Sequence, residues 1–301
     1  DSGDVSPDEL IQHADIAMYH AKTKGRDNFQ LYTDLMGEKA LEDGEYERRI
    51  QAALELNQLS MVYQPKVTAE GRLVSLEALI RWHHPTLGHI SPAEFIPIAE
   101  QSNLIVAIGE FVIVAVLKTL KQWFEQGYQV LPVSINIAGR HLVSPEFLPF
   151  IKSQLALYNI DGKYLEIEIT ESMLIEDIEN CVSILNELKS LNCNVSVDDF
   201  GTGYSSLSYL KILPLDILKI DRSFVAESDV KLEDAEICAT IVNLAKSLKL
   251  TAIAEGIETA SQLATLQKMG CEYFQGYYFH RPKSVAEINK LLTKKLTHTG
   301  I

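Results

Sequence analysis

The chain has 301 residues, of which 47% are hydrophobic and 23% charged, as in an ordinary globular protein with one large core and an appendage. The formal net charge of −14 argues against general nucleic-acid binding, because no basic stripe is present to neutralise a run of phosphates. A small anionic ligand is still compatible with this charge if metal ions reverse the local sign of the field.

The sequence given predicts neither a targeting signal nor a membrane span. The N-terminus has no basic region followed by an apolar stretch, so we predict no signal peptide. No apolar run reaches the length of a membrane span. We therefore expect a cytoplasmic location. The first residue is not methionine, which predicts a fragment of a longer protein, whose upstream segments could anchor it to a membrane. Four widely spaced cysteines predict reduced thiols, not a zinc site or a disulfide framework: Cys181, Cys193, Cys238 and Cys271.

The first 35 or so residues are predicted to be separate from the rest of the chain and to contain an amphipathic helix. Ser6 is an N-cap, Pro7 takes the first helical position, and Glu9 completes a capping box. Apolar residues then recur every three or four positions until Gly25, where the helix is predicted to stop. The stretch 36–56 is rich in glutamate and arginine and has few helix breakers, so we expect a helical linker there.

From residue 57 onward, predicted strands alternate with predicted helices. This alternation favours a parallel sheet, and about eight such units in roughly 250 residues match a (β/α)8 barrel. The predicted strands lie at 61–63, 73–79, 130–135, 165–169, 194–197, 217–220, 251–254 and 272–274. The predicted helices lie at 93–126, 145–158, 178–191, 233–248, 260–269 and 285–296.

Each of the eight apolar runs ends on a polar residue. In a (β/α)8 barrel the carboxyl ends of the strands form one face, where active sites lie. Oxygen ligands and one lysine gathered there predict hard divalent metal ions and an anionic substrate. The strand ends are, in chain order, Gln64, Glu77, Asn136, Glu168, Asp198 with Asp199, Lys219, Glu255 and Gln275.

Most of these residues also have an ordinary structural explanation. Glu77 and Arg81 share a strand face, as a surface ion pair would. Glu168 alternates with apolar residues as it would on a solvated edge strand, although in a barrel a buried, unpaired carboxylate is costly. Glu255 and Gln275 each precede a glycine, as in ordinary turns between strand and helix. Polar residues at all eight strand ends are harder to assign to turn chemistry.

The adjacent aspartates and the lysine each allow two interpretations. Asp198 and Asp199 at a strand end are typical of a turn or a helix cap. A pair of divalent cations would instead relieve their repulsion, with one aspartate bridging both ions as in a two-metal hydrolase. Lys219 shares a strand face with Asp221, which predicts either a buried ion pair or a lysine that orients the attacking water.

Taken together, these motifs resemble an EAL-domain cyclic di-GMP phosphodiesterase over about residues 63–282. The matching segments are Tyr63-Gln64-Pro65, Glu77-Ala78-Leu79 with Arg81-Trp82, Asn136, Glu168-Ile169-Thr170-Glu171, Asp198-Asp199-Phe200-Gly201-Thr202-Gly203, Lys219-Ile220-Asp221, Ala254-Glu255-Gly256 and Gln275-Gly276-Tyr277. The N-terminal segment from Ala14 to Arg26 is similar to the last helix of a GGDEF (diguanylate cyclase) domain. The glycine pair of that domain is absent, so we do not expect this chain to synthesise cyclic di-GMP.

The resemblance implies a modified (β/α)8 TIM barrel, an α/β fold whose first strand runs antiparallel, preceded by an N-terminal helical segment. It implies hydrolysis of cyclic di-GMP to linear 5′-pGpG with two Mg²⁺ or Mn²⁺ ions in the active site. The implied metal ligands are Glu77, Asn136, Glu168, Asp198 and Asp199. The implied catalytic groups are Lys219, which positions the water, and Glu255 as general base. Gln64, Arg81 and Gln275 would contact substrate, with Glu171, Asp221 and Glu258 supporting these residues.

The resemblance also implies a domain organisation and a set of partners. Residues 1–35 would be the C-terminal remnant of a GGDEF-like domain, 36–56 a helical linker, and 57–296 the phosphodiesterase barrel. Upstream GGDEF and sensor domains in the parent protein and a two-fold dimer near the 201–212 loop are expected. The alternative is a catalytically silent receptor or docking module. A complete set of metal ligands favours the enzyme over that alternative.

Overall fold

The computed structural model describes residues 6–23, 28–173, 178–202 and 210–293. Two helices, α1 (Pro7–Thr23) and α2 (Asp34–Glu55), precede the sheet. The predicted capping box is present, since Ser6 N donates to Glu9 Oε2 at 2.8 Å and Glu9 N donates to Ser6 Oγ at 3.2 Å. The predicted linker helix corresponds to α2, whereas the predicted stop at Gly25 lies outside the described residues.

Eight strands close into a barrel, in the spatial order β1-β9-β8-β7-β6-β5-β4-β2 and back to β1. The first strand runs antiparallel to both of its neighbours, β2 and β9, and the other barrel pairings are parallel. A short strand, β3, is added to β2 as a hairpin. The strands are β1 (Leu59–Thr68), β2 (Leu73–His84), β3 (Gly88–Ile90), β4 (Val133–Asn136), β5 (Leu165–Thr170), β6 (Asn194–Phe200), β7 (Ile217–Ile220), β8 (Thr251–Ala254) and β9 (Tyr273–Phe274).

The α/β barrel prediction is therefore confirmed, including the antiparallel first strand that the family resemblance implied. All eight predicted strands overlap an observed strand. The hairpin strand β3 was not predicted, because three residues beside a turn carry too little periodicity to indicate a strand.

Helices cover the outside of the barrel. They are α3 (Pro92–Gln101), α4 (Leu104–Glu125), α5 (Gly139–Leu142), α6 (Phe147–Tyr158), α7 (Ile178–Ser190), α8 (Arg222–Val225), α9 (Leu232–Leu248), α10 (Ala260–Met269) and α11 (Val285–Leu291). The single helix predicted at 93–126 is wrong: the chain breaks at Ser102 and Asn103, residue types that favour helix ends, and Ser102 Oγ accepts from Leu104 N at 3.4 Å. None of the described helices has both the length and the apolarity needed to cross a bilayer.

Side chains on the two faces of the barrel strands differ in polarity. Outward-facing residues such as Ile135, Ile167 and Val197 are fully buried against the helices. Inward-facing residues on the same strands include Ser134, Glu166 and Ser196, which are almost fully buried as well. We call the first set, together with the buried helix side chains that pack around it, the apolar shell, and the second set the polar interior. Strand alternation separates them, because consecutive side chains point to opposite faces.

Candidate active site

Three buried carboxylates converge at the carboxyl ends of the barrel strands. Glu77 on β2, Glu168 on β5 and Asp198 on β6 each offer one oxygen, and these oxygens all lie within 4.8 Å of one another. Strand alternation directs all three side chains into the barrel. A cluster of hard oxygen donors of this kind could bind a divalent metal ion.

Amide side chains surround the carboxylate of Glu77. Asn136 donates from Nδ2 to Glu77 Oε1 at 2.9 Å, and Gln275 donates from Nε2 to Glu77 Oε2. The same Gln275 amide donates to Gln64 Oε1 at 3.2 Å. Burial raises the pKa of Glu77, and the positive charge of Lys219 only partly opposes the shift. Four residues predicted separately from the sequence therefore form one hydrogen-bonded group.

Lys219 on β7 is fully buried and lies between three acidic side chains. Its Nζ atom is 2.6 Å from Glu255 Oε1, 2.9 Å from Glu168 Oε2 and 3.0 Å from Asp198 Oδ2. Burial alone would lower the pKa of Lys219, but the surrounding carboxylates raise it well above its ordinary value. The lysine is therefore a fixed positive charge at the centre of the cluster.

Two of the partners of Lys219 have opposite pKa shifts. Burial would raise the pKa of Glu168, but Lys219 and Lys66 contact one oxygen each and hold the pKa well below its usual range. Burial raises the pKa of Glu255 to about 8, since the opposing effect of Lys219 is smaller and Asp198 adds to the rise. The cluster thus contains one carboxyl group held ionised and one able to hold a proton near neutral pH.

The two adjacent aspartates lie in different surroundings. Asp198 belongs to the carboxylate cluster, whereas Asp199 adopts a left-handed backbone conformation with φ of 54° and its side chain hydrogen-bonds to Asp221. Burial, followed by Asp198 and Asp221, raises the pKa of Asp199 to about 6. Behind them, Glu171 Oε2 accepts from Gly201 N at 2.9 Å, and Glu171 N donates to the Asp198 carbonyl oxygen at 3.3 Å.

The ion pair between Lys219 and Asp221, one of the two interpretations of the sequence, does not form. Asp221 is the N-cap of α8, where its Oδ1 accepts from Ser223 N at 3.0 Å. The chain leaves the barrel at the end of β7, so that the alternation of side chains no longer applies to Asp221. Glu258 is exposed, and its backbone N donates to Gln262 Oε1 at 2.8 Å.

Two cavities open beside the cluster. One of about 200 Å³ is lined by Gln64, Glu77, Leu79, Arg222, Glu255, Gly256, Glu258, Gln275, Gly276 and Tyr277. A second of about 310 Å³ lies on the side of Arg81 and Asn136 and is mostly apolar. Arg81 is half-buried there, which lowers its pKa, and it donates to the Ile80 carbonyl oxygen at 2.7 Å. The first cavity thus borders Glu77 and Glu255 directly, whereas the second reaches the cluster only through Asn136.

A family model for the EAL domain matches residues 47–282 of this sequence. The chain belongs to the EAL domain family. Among curated relatives, it is 37% identical over 281 residues to the bifunctional diguanylate cyclase/cyclic di-GMP phosphodiesterase MucR of Pseudomonas aeruginosa, covering 93% of this chain and 41% of MucR. It is 40% identical over 273 residues to the cyclic di-GMP phosphodiesterase PdeR of Escherichia coli, covering 91% of this chain and 41% of PdeR. The chain therefore spans about two fifths of these relatives.

Solved structures of EAL domains have the same fold. The MucR phosphodiesterase in complex with cyclic di-GMP superposes with a TM-score of 0.78 at 36% identity, covering 81% of this chain and 99% of that one. The EAL enzyme Bd1971, in a form that binds cAMP and cyclic di-GMP, superposes with a TM-score of 0.81 at 28% identity, covering 97% of this chain and 77% of that one.

Sequence reasoning missed two charged residues inside this EAL domain. Lys66 on β1 donates to Glu168 Oε1 at 2.6 Å and to Glu166 Oε1 at 3.1 Å, and both residues are almost fully buried. A signal was present, because Lys66 lies two positions after Gln64 and so shares its strand face. It was overlooked since the prediction considered only the residues at which strands end.

Proposed function

We propose that this EAL domain hydrolyses cyclic di-GMP to linear 5′-pGpG and so lowers the level of this second messenger. The observation that carries the proposal is the convergence of Glu77, Glu168 and Asp198 around the buried ammonium of Lys219. Relatives at 37% and 40% identity are named for cyclic di-GMP phosphodiesterase activity, and the MucR domain with the same fold was solved with that ligand.

The side chains present fit divalent metal ions. The donors are carboxylate and amide oxygens, the type that Mg²⁺ and Mn²⁺ prefer. Asn136 uses its Nδ2 on Glu77, which leaves Oδ1 available as a ligand. Two ions are proposed, held by Glu77, Asn136, Glu168, Asp198 and Asp199. When bound, such ions would polarise the phosphodiester and lower the pKa of water.

The remaining roles are assigned to residues around this group. Lys219 would orient the attacking water, because its ammonium already contacts three of the acidic residues. Glu255 would act as general base, since it lies next to that ammonium at the edge of a cavity. Gln64, Arg81 and Gln275 would contact substrate. Glu171, Asp221 and Glu258 would hold the backbone and loops around the ligands.

The proposal is tested by incubating the purified chain with cyclic di-GMP and Mn²⁺ or Mg²⁺ and separating the products by chromatography. Linear 5′-pGpG should accumulate with metal and disappear with a chelator. Cyclic di-GMP binding without turnover in either metal would instead favour the catalytically silent receptor. Failure to bind cyclic di-GMP at all would remove both candidate functions.

The wider context is proposed from the relatives and the domain arrangement. Residues 57–296 are assigned to the EAL barrel and 36–56 to the helical linker. Residues 1–35 are assigned to the end of a GGDEF-like domain, with sensor domains further upstream. The chain spans about two fifths of MucR and PdeR, which is compatible with such upstream domains. Buried cysteines outside disulfides, such as Cys193 and Cys238, suit a cytoplasmic location.

A two-fold homodimer near the 201–212 loop is also proposed, although residues 203–209 lie outside the described residues. The loop directly follows Asp198 and Asp199, so a partner surface that orders it would also set ligand geometry. Sedimentation at micromolar concentration should show a dimer. Ser206→Arg should reduce dimerisation and activity together, and a monomer with full activity would rule out this coupling.

A further inference from the structure

A second buried lysine lies inside the barrel, beside the cluster of carboxylates. Lys66 has no exposed surface, and its Nζ donates to Ser134 Oγ at 2.9 Å, Glu166 Oε1 at 3.1 Å and Glu168 Oε1 at 2.6 Å. These three contacts use all three protons of the ammonium group. The position of the group is therefore determined by strands β4 and β5 as well as by its own strand β1.

Small side chains on neighbouring strands leave room for this lysine. Ser75 is the direct partner of Lys66 across the β1–β2 pairing, and Ser134 and Ser196 are fully buried on β4 and β6. Barrel interiors of this fold are usually filled by valine, isoleucine and leucine. Burying a charge is costly unless it is paired, so stability alone does not explain a lysine and a glutamate here.

The two lysines divide the carboxylate of Glu168 between them. Lys66 binds Oε1 at 2.6 Å and Lys219 binds Oε2 at 2.9 Å. Opposite contacts on both oxygens prevent rotation of the carboxylate plane. Each oxygen has two acceptor sites, so one on each is still available to a cation. Glu166 meanwhile neutralises part of the charge of Lys66, which limits its repulsion of any cation bound above it.

We propose that Lys66 is a positioning residue that, together with Glu166, fixes Glu168 in the orientation needed to bind metal and thereby sets the metal affinity of the site. The inference rests on the proposed function in that Glu168 serves there as a metal ligand. Groups that orient metal ligands in this way typically change affinity by 10- to 100-fold. Lys66 touches neither metal nor substrate in this scheme.

The test compares two double variants with the same change in charge. Lys66→Met/Glu166→Gln removes one positive and one negative group, so the long-range field at the metal site is nearly unchanged while the anchor of Glu168 is lost. Lys66→Gln/Glu166→Gln has the same charge and a similar side-chain length but retains a hydrogen-bond donor. Mn²⁺ binding is measured directly by electron paramagnetic resonance without substrate, alongside thermal unfolding of the metal-free protein.

The methionine double variant should bind Mn²⁺ about 10-fold or more weakly than the parent, and the glutamine double variant should lie between the two. The methionine double variant should also hydrolyse cyclic di-GMP more slowly than the parent, and this difference in rate should shrink as the Mn²⁺ concentration is raised. If both double variants bind Mn²⁺ with the affinity of the parent and differ from it only in thermal stability, Lys66 has only a structural role and the inference fails. Should the methionine variant not fold, a glutamine variant with parental Mn²⁺ affinity overturns the inference just as well.

The same measurements separate this inference from the proposed function. A parent chain that binds no Mn²⁺ and does not cleave cyclic di-GMP contradicts the proposed function itself. If instead the parent binds Mn²⁺ and cleaves cyclic di-GMP, and both double variants keep its Mn²⁺ affinity, only the role of Lys66 is contradicted. Glu166→Gln alone is the matched single variant. It should weaken Mn²⁺ binding less than the methionine double variant does, because Lys66 keeps its contacts with Ser134 and Glu168 although less of its charge is neutralised.

Discussion

The apolar shell and the polar interior are made by the same strands but differ in almost every physical respect. In the shell, Ile135, Ile167 and Val197 are buried against helices, and their side chains carry no charge or polar atom that needs a partner. In the interior, Lys66 and Lys219 are equally buried but lie among five carboxyl groups, those of Glu77, Glu166, Glu168, Asp198 and Glu255. The shell contributes the apolar burial that stabilises the barrel, whereas charge burial in the interior costs stability.

This difference indicates that the two layers can be changed independently. A substitution in the interior should alter chemistry while the shell keeps the barrel folded. A substitution in the shell should lower stability while the surviving folded molecules keep their activity. The predictions that follow test this independence, starting with the largest expected effect.

Removing a carboxylate from the cluster should abolish turnover without unfolding the chain. Asp198→Ala deletes the acidic group proposed to serve both metal ions, and Glu77→Ala deletes a ligand of one. Since loss of residues that merely orient ligands already costs roughly 10- to 100-fold, loss of a ligand should cost more. The measurement is the initial rate of cyclic di-GMP hydrolysis in Mg²⁺, with circular dichroism to confirm folding. An Asp198→Ala rate within tenfold of the parent would contradict the two-metal assignment.

Replacing the central lysine should lower the rate while substrate binding persists. Lys219→Ala removes the ammonium that contacts Glu168, Asp198 and Glu255, and we expect the rate constant to fall by roughly 10²-fold or more. Rate constants and equilibrium binding of a fluorescent cyclic di-GMP analogue are measured on the same sample. Lys189→Ala, which breaks the partly exposed pair with Asp216, is the control for loss of a lysine. A Lys219→Ala variant that unfolds, with activity lost only in proportion, would assign the lysine a structural role.

The residues that were predicted well from the sequence are those placed by the alternation of side chains along a strand. Glu77, Glu168 and Asp198 were placed correctly at strand ends because a period of two directs side chains to a known face of a barrel. Asp199 shows where that reasoning stops, since its left-handed backbone turns the side chain towards Asp221. A left-handed backbone is uncommon for a non-glycine residue, even for aspartate, so strand alternation did not predict it.

Other features depended on long-range packing and could not be derived from local pattern. The antiparallel direction of β1 came from the family resemblance, because alternation alone predicts a strand but not its direction. Lys66 contacts residues 68 to 102 positions away in the chain. Its role depends on closure of the sheet into a barrel, which brings β1 opposite β4 and β5, and a strand-by-strand prediction does not include that closure.

A cavity in the shell should give the opposite result to a substitution in the cluster. Ile113 on α4 is fully buried, and Ile113→Ala should destabilise the chain by about 2–5 kcal/mol. The hydrolysis rate per folded molecule should stay close to that of the parent, because no interior group is touched. Urea unfolding and rate measurements on the same preparation test both halves. A large drop in rate with little change in stability would show that the layers are coupled.

The smallest expected effect concerns a polar residue within the shell. His141 on α5 is buried against Phe147, and its Nδ1 has no hydrogen-bond partner in the part of the chain that the structure describes. Burial lowers the pKa of His141 to about 4, from an ordinary value of 6.5. As pH falls below 6.5 the unfolded chain takes up a proton that the folded chain excludes, so stability is lost progressively until about pH 4.

Comparison with a variant that cannot titrate isolates this effect from the carboxyl groups of the interior. Between pH 7.5 and pH 5.0, the parent should lose about 2 kcal/mol relative to His141→Gln, at about 1.4 kcal/mol per pH unit below 6.5. Urea unfolding of both proteins at the two pH values gives this difference directly. An unchanged difference would mean that His141 takes up its proton equally well in the folded chain, and that the shell tolerates charge much as the interior does.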